Sequence, residues 1–209
     1  MSDKIVPEYD SRNIFVRSLF LKRLNLSVDL FRKVFEQKKI VNVADFGCGD
    51  GILLGFLEKK FKDIKTFGLD ILPEVSSLRS FLRADIRIVN LTNSGFPSDF
   101  FDAIFCLDTL EHFENLEEPI KEIERTLKNH GILIVSLPTE NVVYKIGRFI
   151  LKGTFSSKKG PSSSPHFHNA DEIRKFLLKN SFTLVKKEKV TKIPFLKFFE
   201  IILFKKDVL

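Results

Sequence analysis

Between Ile40 and Leu137, short apolar runs alternate with stretches of helical spacing, and this alternation constrains the fold more than any other feature. Ile40–Phe46 is rich in β-branched residues, ends in Gly47-Cys48-Gly49-Asp50-Gly51, and gives way to a helical pattern over Ile52–Phe61. Thr66–Asp70, Ile86–Asn90, Ala103–Leu107 and Gly131–Leu137 read as further strands, with helices over 74–83 and Pro119–Lys128 between them. Parallel strands need crossover helices, so the rhythm predicts an α/β, doubly wound chain with a mostly parallel sheet and helices on both faces. Upstream, Ile14, Phe15, Leu19, Leu24, Leu30 and Val34 predict one or two amphipathic helices over 14–36, with Lys and Arg on the opposite face. Downstream, Asn169-Ala-Asp-Glu172 resembles a capping box opening a helix to Lys179, and Phe182–Val190 and Glu200–Lys205 read as two closing strands, seven in all.

A chain of 209 residues with 44% hydrophobic and 29% charged residues can bury one substantial core, so a single domain is expected and wholesale disorder is excluded. Its longest apolar runs fall well short of the roughly 20 residues that span a bilayer. The start, Met1 to Asp10, lacks the charged and apolar segments of a secretory signal, and Cys48 and Cys106 are too few for a disulfide framework; both point to the cytoplasm. Charge is segregated. Residues 1–40 carry 9 Lys/Arg against 5 Asp/Glu, residues 41–140 carry 10 against 17, and residues 141–209 carry 15 against 5. The basic final third leaves a nucleic-acid partner open, against the commoner case of a lysine-rich solvated surface.

The glycine loop carries the chemistry. Glycines between a strand and a helix let backbone approach a ligand closely, and the helix N-terminus that follows favours an anionic group. Counted from Gly47 or Gly49, the third glycine of a dinucleotide fingerprint would fall on Ile52 or Leu54, so that register fails. Asp70, at the end of the second strand, stands where a carboxylate accepts hydrogen bonds from ribose hydroxyls. A nucleoside without a pyrophosphate is implied.

In motif order from Ile40 to Leu137, these residues resemble the class I S-adenosylmethionine-dependent methyltransferases. The likeness rests on Asp45-Phe-Gly47-Cys-Gly49-Asp-Gly51, on Asp70, on Phe101–Phe113 and on Ile123–Leu133, with a weaker match through His166 to Phe182. Leu110-Glu-His-Phe113 looks closest to small-molecule members such as the quinone-biosynthesis O-methyltransferases. The resemblance implies a Rossmann-like fold and S-adenosyl-L-methionine as cofactor, with its sulfonium methyl passing to an acceptor. It divides the chain into a helical lid over 1–39, a cofactor-binding core over 40–140, a substrate cover with a loop over 141–168, and a closing helix and strands over 169–209. Gly47, Cys48, Gly49 and Gly51 would line the methionine part, Asp45 would hold the loop's shape, and Asp70 with Ile71 would bind the ribose. Asn90 and Leu91 fall where the family places an adenine contact, although the usual residue there is acidic and Asp85 is a rival. Cys106, Leu107 and Asp108 would border the sulfonium. His130 replaces a frequent glycine, which puts strain or a different build into the turn before strand five.

Bland readings stand beside these. The two cysteines read as small buried hydrophobes without covalent chemistry. His112 is the candidate catalytic base, and a histidine that hydrogen-bonds backbone and shapes the pocket is the alternative. His166 and His168 read as exposed or capping groups. No metal is expected, since Asp108 with Glu140 and Asn141 only faintly matches a metal-binding arrangement. Tyr9, Asp10 and Arg17 could close over the cofactor. Val142, Val143, Ile146, Phe149 and Ile150 share a face flanked by Lys145, Arg148 and Lys152, and Pro194–Phe199 adds a second apolar and basic patch. Such faces fit a small, partly lipophilic acceptor met by peripheral contact with a membrane surface. An RNA or protein methyltransferase and a non-catalytic cofactor-binding scaffold are the other readings. The Asn/Asp-Pro-Pro-aromatic loop of adenine methylases and the Pro-Cys nucleophile of cytosine methylases are absent, Leu107-Asp-Thr-Leu110 standing in the first position.

Overall fold

Val43 and Ala44 are neighbours in one strand, yet they are buried in different cores, because successive side chains of a strand leave opposite faces of the sheet. The computed structural model describes residues 13–138, 165–191 and 199–208, with the side chains of Phe15 and Pro138 left aside. Its strands are β1 (Asn42–Phe46), β2 (Lys65–Asp70), β3 (Asp85–Ile88), β4 (Phe101–Leu107), β5 (Leu127–Pro138), β6 (Phe182–Lys189) and β7 (Phe199–Lys206). They form a seven-stranded sheet in the order β3-β2-β1-β4-β5-β7-β6. The first five strands are mutually parallel, and β7 runs antiparallel to both β5 and β6. The expected fold class holds, with the antiparallel β7 as the one reversal.

Helices α1 (Ile14–Phe35) and α2 (Ile52–Lys60) cover one face, where Leu24, Phe31, Leu53 and Leu57 pack with Val43, Phe105, Ile134 and Leu203. Helices α3 (Glu117–Thr126) and α4 (Ala170–Lys179) cover the other, where Ile120, Ile123, Ile173 and Leu177 meet Ala44, Cys106, Val135 and Ile202. The capping box forms as read: Asn169 Oδ1 accepts from the Asp171 and Glu172 amides at 3.0 and 3.1 Å, and the Glu172 carboxylate accepts from the Asn169 amide at 3.0 Å.

Several boundaries differ from the sequence reading. Residues 74–83 do not make an α-helix; Pro73–Ser80 is a 3-10 helix. β3 stops at Ile88 rather than Asn90, because the Asn90 side chain accepts from the Thr92 amide at 3.0 Å and turns the chain off the sheet. α3 ends at Thr126 rather than Lys128, since Leu127 already pairs with Phe101 at the start of β5. A register shift then follows in β5, and His130 sits in it at φ 59° with its carbonyl accepting from Lys38 Nζ at 2.7 Å. Gly131 beside it has no room for a side chain, a Cβ there falling 2.7 Å from the Lys128 carbonyl oxygen. The sequence reading places His130 in a turn before strand five; it lies instead in an irregular stretch within β5, which is strained at His130, as its replacement of glycine led us to expect.

Candidate active site

The carboxyl ends of β1, β2 and β4 meet at one edge of the sheet, and the glycine loop folds back over them. Gly47, Gly49 and Gly51 take φ values of 85°, 47° and 68°, the left-handed region where glycine carries no steric penalty. The Gly47 and Cys48 amides both donate to the Leu69 carbonyl, at 2.7 and 3.0 Å. The Gly49 amide donates to Asp70 Oδ2 at 2.9 Å, and Asp70 Oδ1 accepts from the Leu72 amide at 3.1 Å. An ionised carboxylate offers about four acceptor positions, so the two amides leave room for further hydroxyl donors. Asp45 is buried behind the loop; burial first, and then the Asp70 charge, hold its carboxyl well above the usual range, against a pull from Arg23. Burial also pushes the Cys48 and Cys106 thiols up, which fits their reading as inert.

Beyond Asp70 the surface is apolar. Ile71 is 64% exposed, Leu72 follows it, and Ile88, in register with Asp70 on β3, is also exposed. Only Ile71 was singled out from the sequence. Leu91 is buried in the core, whereas Asn90 is exposed with its Oδ1 held by the Thr92 amide. Asp85 lies at the start of β3, paired with Arg87 at 2.9 Å and away from the loop end of the sheet.

On the β4 side, Cys106 points into the core, and Leu107 packs against the α1 face. Asp108, at φ 52°, pairs with Arg23 and accepts from the Ser136 hydroxyl. Arg23 is 4% exposed and lies near the Phe20 and Phe199 rings, at 4.8 and 5.3 Å from their centroids. The expectation that α1 turns all its Lys and Arg outward therefore fails at Arg23, because position 23 falls inside the apolar row of Phe20, Leu24 and Phe31. That row is legible in the sequence, whereas the buried charge upon it is not.

The short 3-10 helix Leu110–His112 follows β4. Glu111 is 1% exposed, neither of its carboxylate oxygens has a hydrogen-bond partner, and burial pushes its carboxyl up to about 7. His112 Nδ1 lies 3.1 Å from the Pro165 carbonyl oxygen, and burial lowers its pKa against the opposing pull of that bond. His166 is half-buried, not exposed as expected, and its ring meets that of His112 edge to face at 4.9 Å. Its segment docks back onto the site through the Phe167 amide, which donates to the Glu111 carbonyl at 2.8 Å. His168 stands at the α4 cap, its Nε2 3.1 Å from the Glu114 carbonyl oxygen. Glu111 was not singled out beforehand, and nothing local to it signals that its carboxylate is orphaned. Tyr9, Asp10, Glu140, Asn141, Val142–Lys152 and residues 194–198 lie outside the described residues.

Residues 44–135 match the family model for a methyltransferase domain. They carry the glycine loop, Asp70 and nearly all of the parallel strands β1 to β5. The chain has a class I S-adenosylmethionine-dependent methyltransferase domain. This domain is 34% identical over 119 residues to an uncharacterized protein of Methanocaldococcus jannaschii, an alignment covering 56% of this chain and 50% of that protein. The chain thus spans about half the length of that relative. A mitochondrial ubiquinone biosynthesis O-methyltransferase of Schizosaccharomyces pombe is 23% identical over 195 residues, which cover 85% of this chain and 67% of that enzyme. The N-methyltransferase NodS of Bradyrhizobium japonicum, solved with S-adenosyl-l-homocysteine, superposes with a TM-score of 0.65 at 14% identity, over 98% of this chain and 93% of that one.

The methyltransferase family binds S-adenosylmethionine, and the residues present suit it. Asp70 keeps acceptor capacity that would serve a ribose, the exposed Ile71, Leu72 and Ile88 would offer apolar surface to a flat base, and the left-handed loop would leave its backbone open to the methionine part.

Proposed function

We propose that this domain transfers a methyl group from S-adenosylmethionine to a small, partly lipophilic acceptor in the cytoplasm. The observation that carries the reading is the Gly49 amide on Asp70 Oδ2 at 2.9 Å, which joins the loop and the ribose-binding carboxylate into one cradle. Asp70 and Ile71 hold the ribose, Asn90 meets the adenine, and Gly47, Cys48, Gly49, Gly51, Leu107 and Asp108 surround the methionine end, while Leu91 and Cys106, whose side chains are buried in the core, would contribute backbone alone. When bound, S-adenosylmethionine supplies an activated methyl group on a sulfonium, so the protein has mainly to align the partners and manage one proton. With Nδ1 facing the Pro165 carbonyl, His112 carries its proton there and keeps the Nε2 lone pair to take a proton from an acceptor hydroxyl or amine. Its lowered pKa keeps the ring neutral and ready to accept.

The ubiquinone-pathway relative supports a small and greasy acceptor, and the apolar and basic sequence of Val142–Lys152 supports one met at a membrane surface. Among the described residues no helix is long and apolar enough to cross a membrane. An RNA or protein acceptor is disfavoured because part of the basic final third is already paired, Lys187 with Glu200 at 2.5 Å and Lys206 with Asp99 at 3.2 Å.

Incubation with methyl-labelled cofactor and fractionated extract tests the proposal. Label should enter small, organic-soluble molecules; label found only in RNA or protein, or no transfer at all, would overturn it. His112→Gln should lower turnover by roughly 100-fold with cofactor binding intact. Asp70→Ala should weaken S-adenosylhomocysteine by about 1 to 3 kcal/mol in calorimetry, and an unchanged affinity in the folded variant would take Asp70 out of the ribose site.

A further inference from the structure

Glu111, His112 and His166 come together from two segments, the 3-10 helix behind β4 and the stretch leading into α4. One ligand atom from each lies within 4.8 Å of the others. The Glu111 carboxylate is what makes this more than a cluster. The other buried glutamates among the described residues are all engaged, Glu58 with the Thr66 hydroxyl, Glu122 with Ser94 and Arg125, and Glu200 with Lys187. Glu111 alone among them has both oxygens buried without a hydrogen-bond partner from another residue, an arrangement that costs free energy unless a proton or a cation compensates it.

We propose that Glu111, His112 and His166 bind one divalent transition-metal ion of the zinc class, with a coordination position left open to the methyl acceptor. Two imidazoles and one carboxylate suit zinc and its neighbours, whereas magnesium and calcium prefer all-oxygen sets. The Pro165 carbonyl on His112 Nδ1 is the bond that metal-ligating histidines make through the nitrogen not on the metal, and it leaves Nε2 as the donor. The Phe167 amide on the Glu111 carbonyl ties the two ligand-bearing segments together. Zinc holds tetrahedral donors about 3.3 Å apart, so the three groups draw in by roughly 1.5 Å through side-chain rotation. The place suits the reaction: a Cβ on Gly47 of the loop would stand 2.3 Å from the hydroxyl of Thr109, two residues before Glu111.

This inference rests on the proposed methyl transfer and deepens it, narrowing the acceptor to one with a hydroxyl. Bound to the ion, that hydroxyl loses its proton to water, the oxygen bonds to the methyl carbon, and the carbon–sulfur pair stays on sulfur. With the ion bound, Nε2 of His112 is a ligand, so the role of base given to it above belongs to the metal-free site.

The test is titration of the chelator-stripped full chain with Co²⁺, followed by its visible d–d bands and by competition with Zn²⁺, and calorimetry of S-adenosylhomocysteine on the same samples. The parent should bind one equivalent. Glu111→Gln and His166→Gln should each weaken Co²⁺ by at least about 10-fold while keeping the thermal transition and the cofactor affinity. No saturable binding by the parent, or equal binding by the double variant, would overturn the site. Cofactor binding without Co²⁺ binding defeats the metal site alone; Co²⁺ binding without cofactor binding upholds the site and defeats the methyl-transfer reading.

Discussion

At Gly47 a side chain has nowhere to go. A Cβ would stand 2.3 Å from Thr109 Oγ1, which is itself held by the Leu107 carbonyl at 3.1 Å, and the backbone sits at φ 85°. Gly47→Ala should therefore cost about 1 to 3 kcal/mol of stability and weaken S-adenosylhomocysteine as the loop shifts; a melt and an affinity equal to the parent's would show that the loop tolerates a methyl group. Asp102 presents the opposite situation, a carboxylate with several donors. Its Oδ2 accepts from the Val41 and Asn42 amides at 3.0 and 2.8 Å, and Lys128 reaches Oδ1 at 2.8 Å. Burial raises its pKa, but Lys128 and the two amides outweigh that and bring it below 3.8. A depressed carboxylate stabilises the fold above its unfolded value and loses that contribution as the pH falls through the folded one. Asp102→Asn should then cost about 1 to 3 kcal/mol at neutral pH in urea unfolding, and the gap from the parent should close in acid.

Among the elements, α1 is fastened to the site by Arg23, which reaches Asp108 and, at 3.5 Å, Ser136 Oγ. Arg23→Leu strands the Asp108 charge and should destabilise by about 2 to 4 kcal/mol, whereas adding Asp108→Asn should recover much of the loss in a double-mutant cycle. Additive effects would mean that the pair is not coupled. How far such features can be read from sequence depends on the range of the physics. Strand-to-helix alternation, the glycines and the Asn169 capping box act over a few residues and were legible. The end of β3 was misplaced because the Asn90 turn competes locally with a β-branched run that reads as continuing. Arg23 and the Glu111–His166 cluster were not legible, since each depends on groups brought together from distant parts of the chain. Asp70 was found because its partner loop is the neighbouring crossover, a spacing the fold imposes.

Taken whole, the two cores are separated by the sheet and share its strands, so damage to a central strand reaches both. Ile202 of β7 is fully buried, pairs with Val135 and packs with the α3 and α4 core. Ile202→Ala should lower unfolding free energy by about 2 to 5 kcal/mol in one transition; a separate early melting of β6 and β7 would show that this edge is an independent unit. The acidic middle of the chain and its basic final third are also knit together here, Lys206 of β7 reaching Asp99 and the Leu127 carbonyl at 3.2 and 2.7 Å. The order of β7 in the sheet bears on how the molecule is made. β6 leaves the ribosome before β7, yet β7 is the strand that lies between it and β5. Until β7 is synthesised, β5 keeps an open edge and β6 has no neighbour, so nascent chains stalled in this interval hold two unpaired strands at once, the stage at which chaperones would have most to protect.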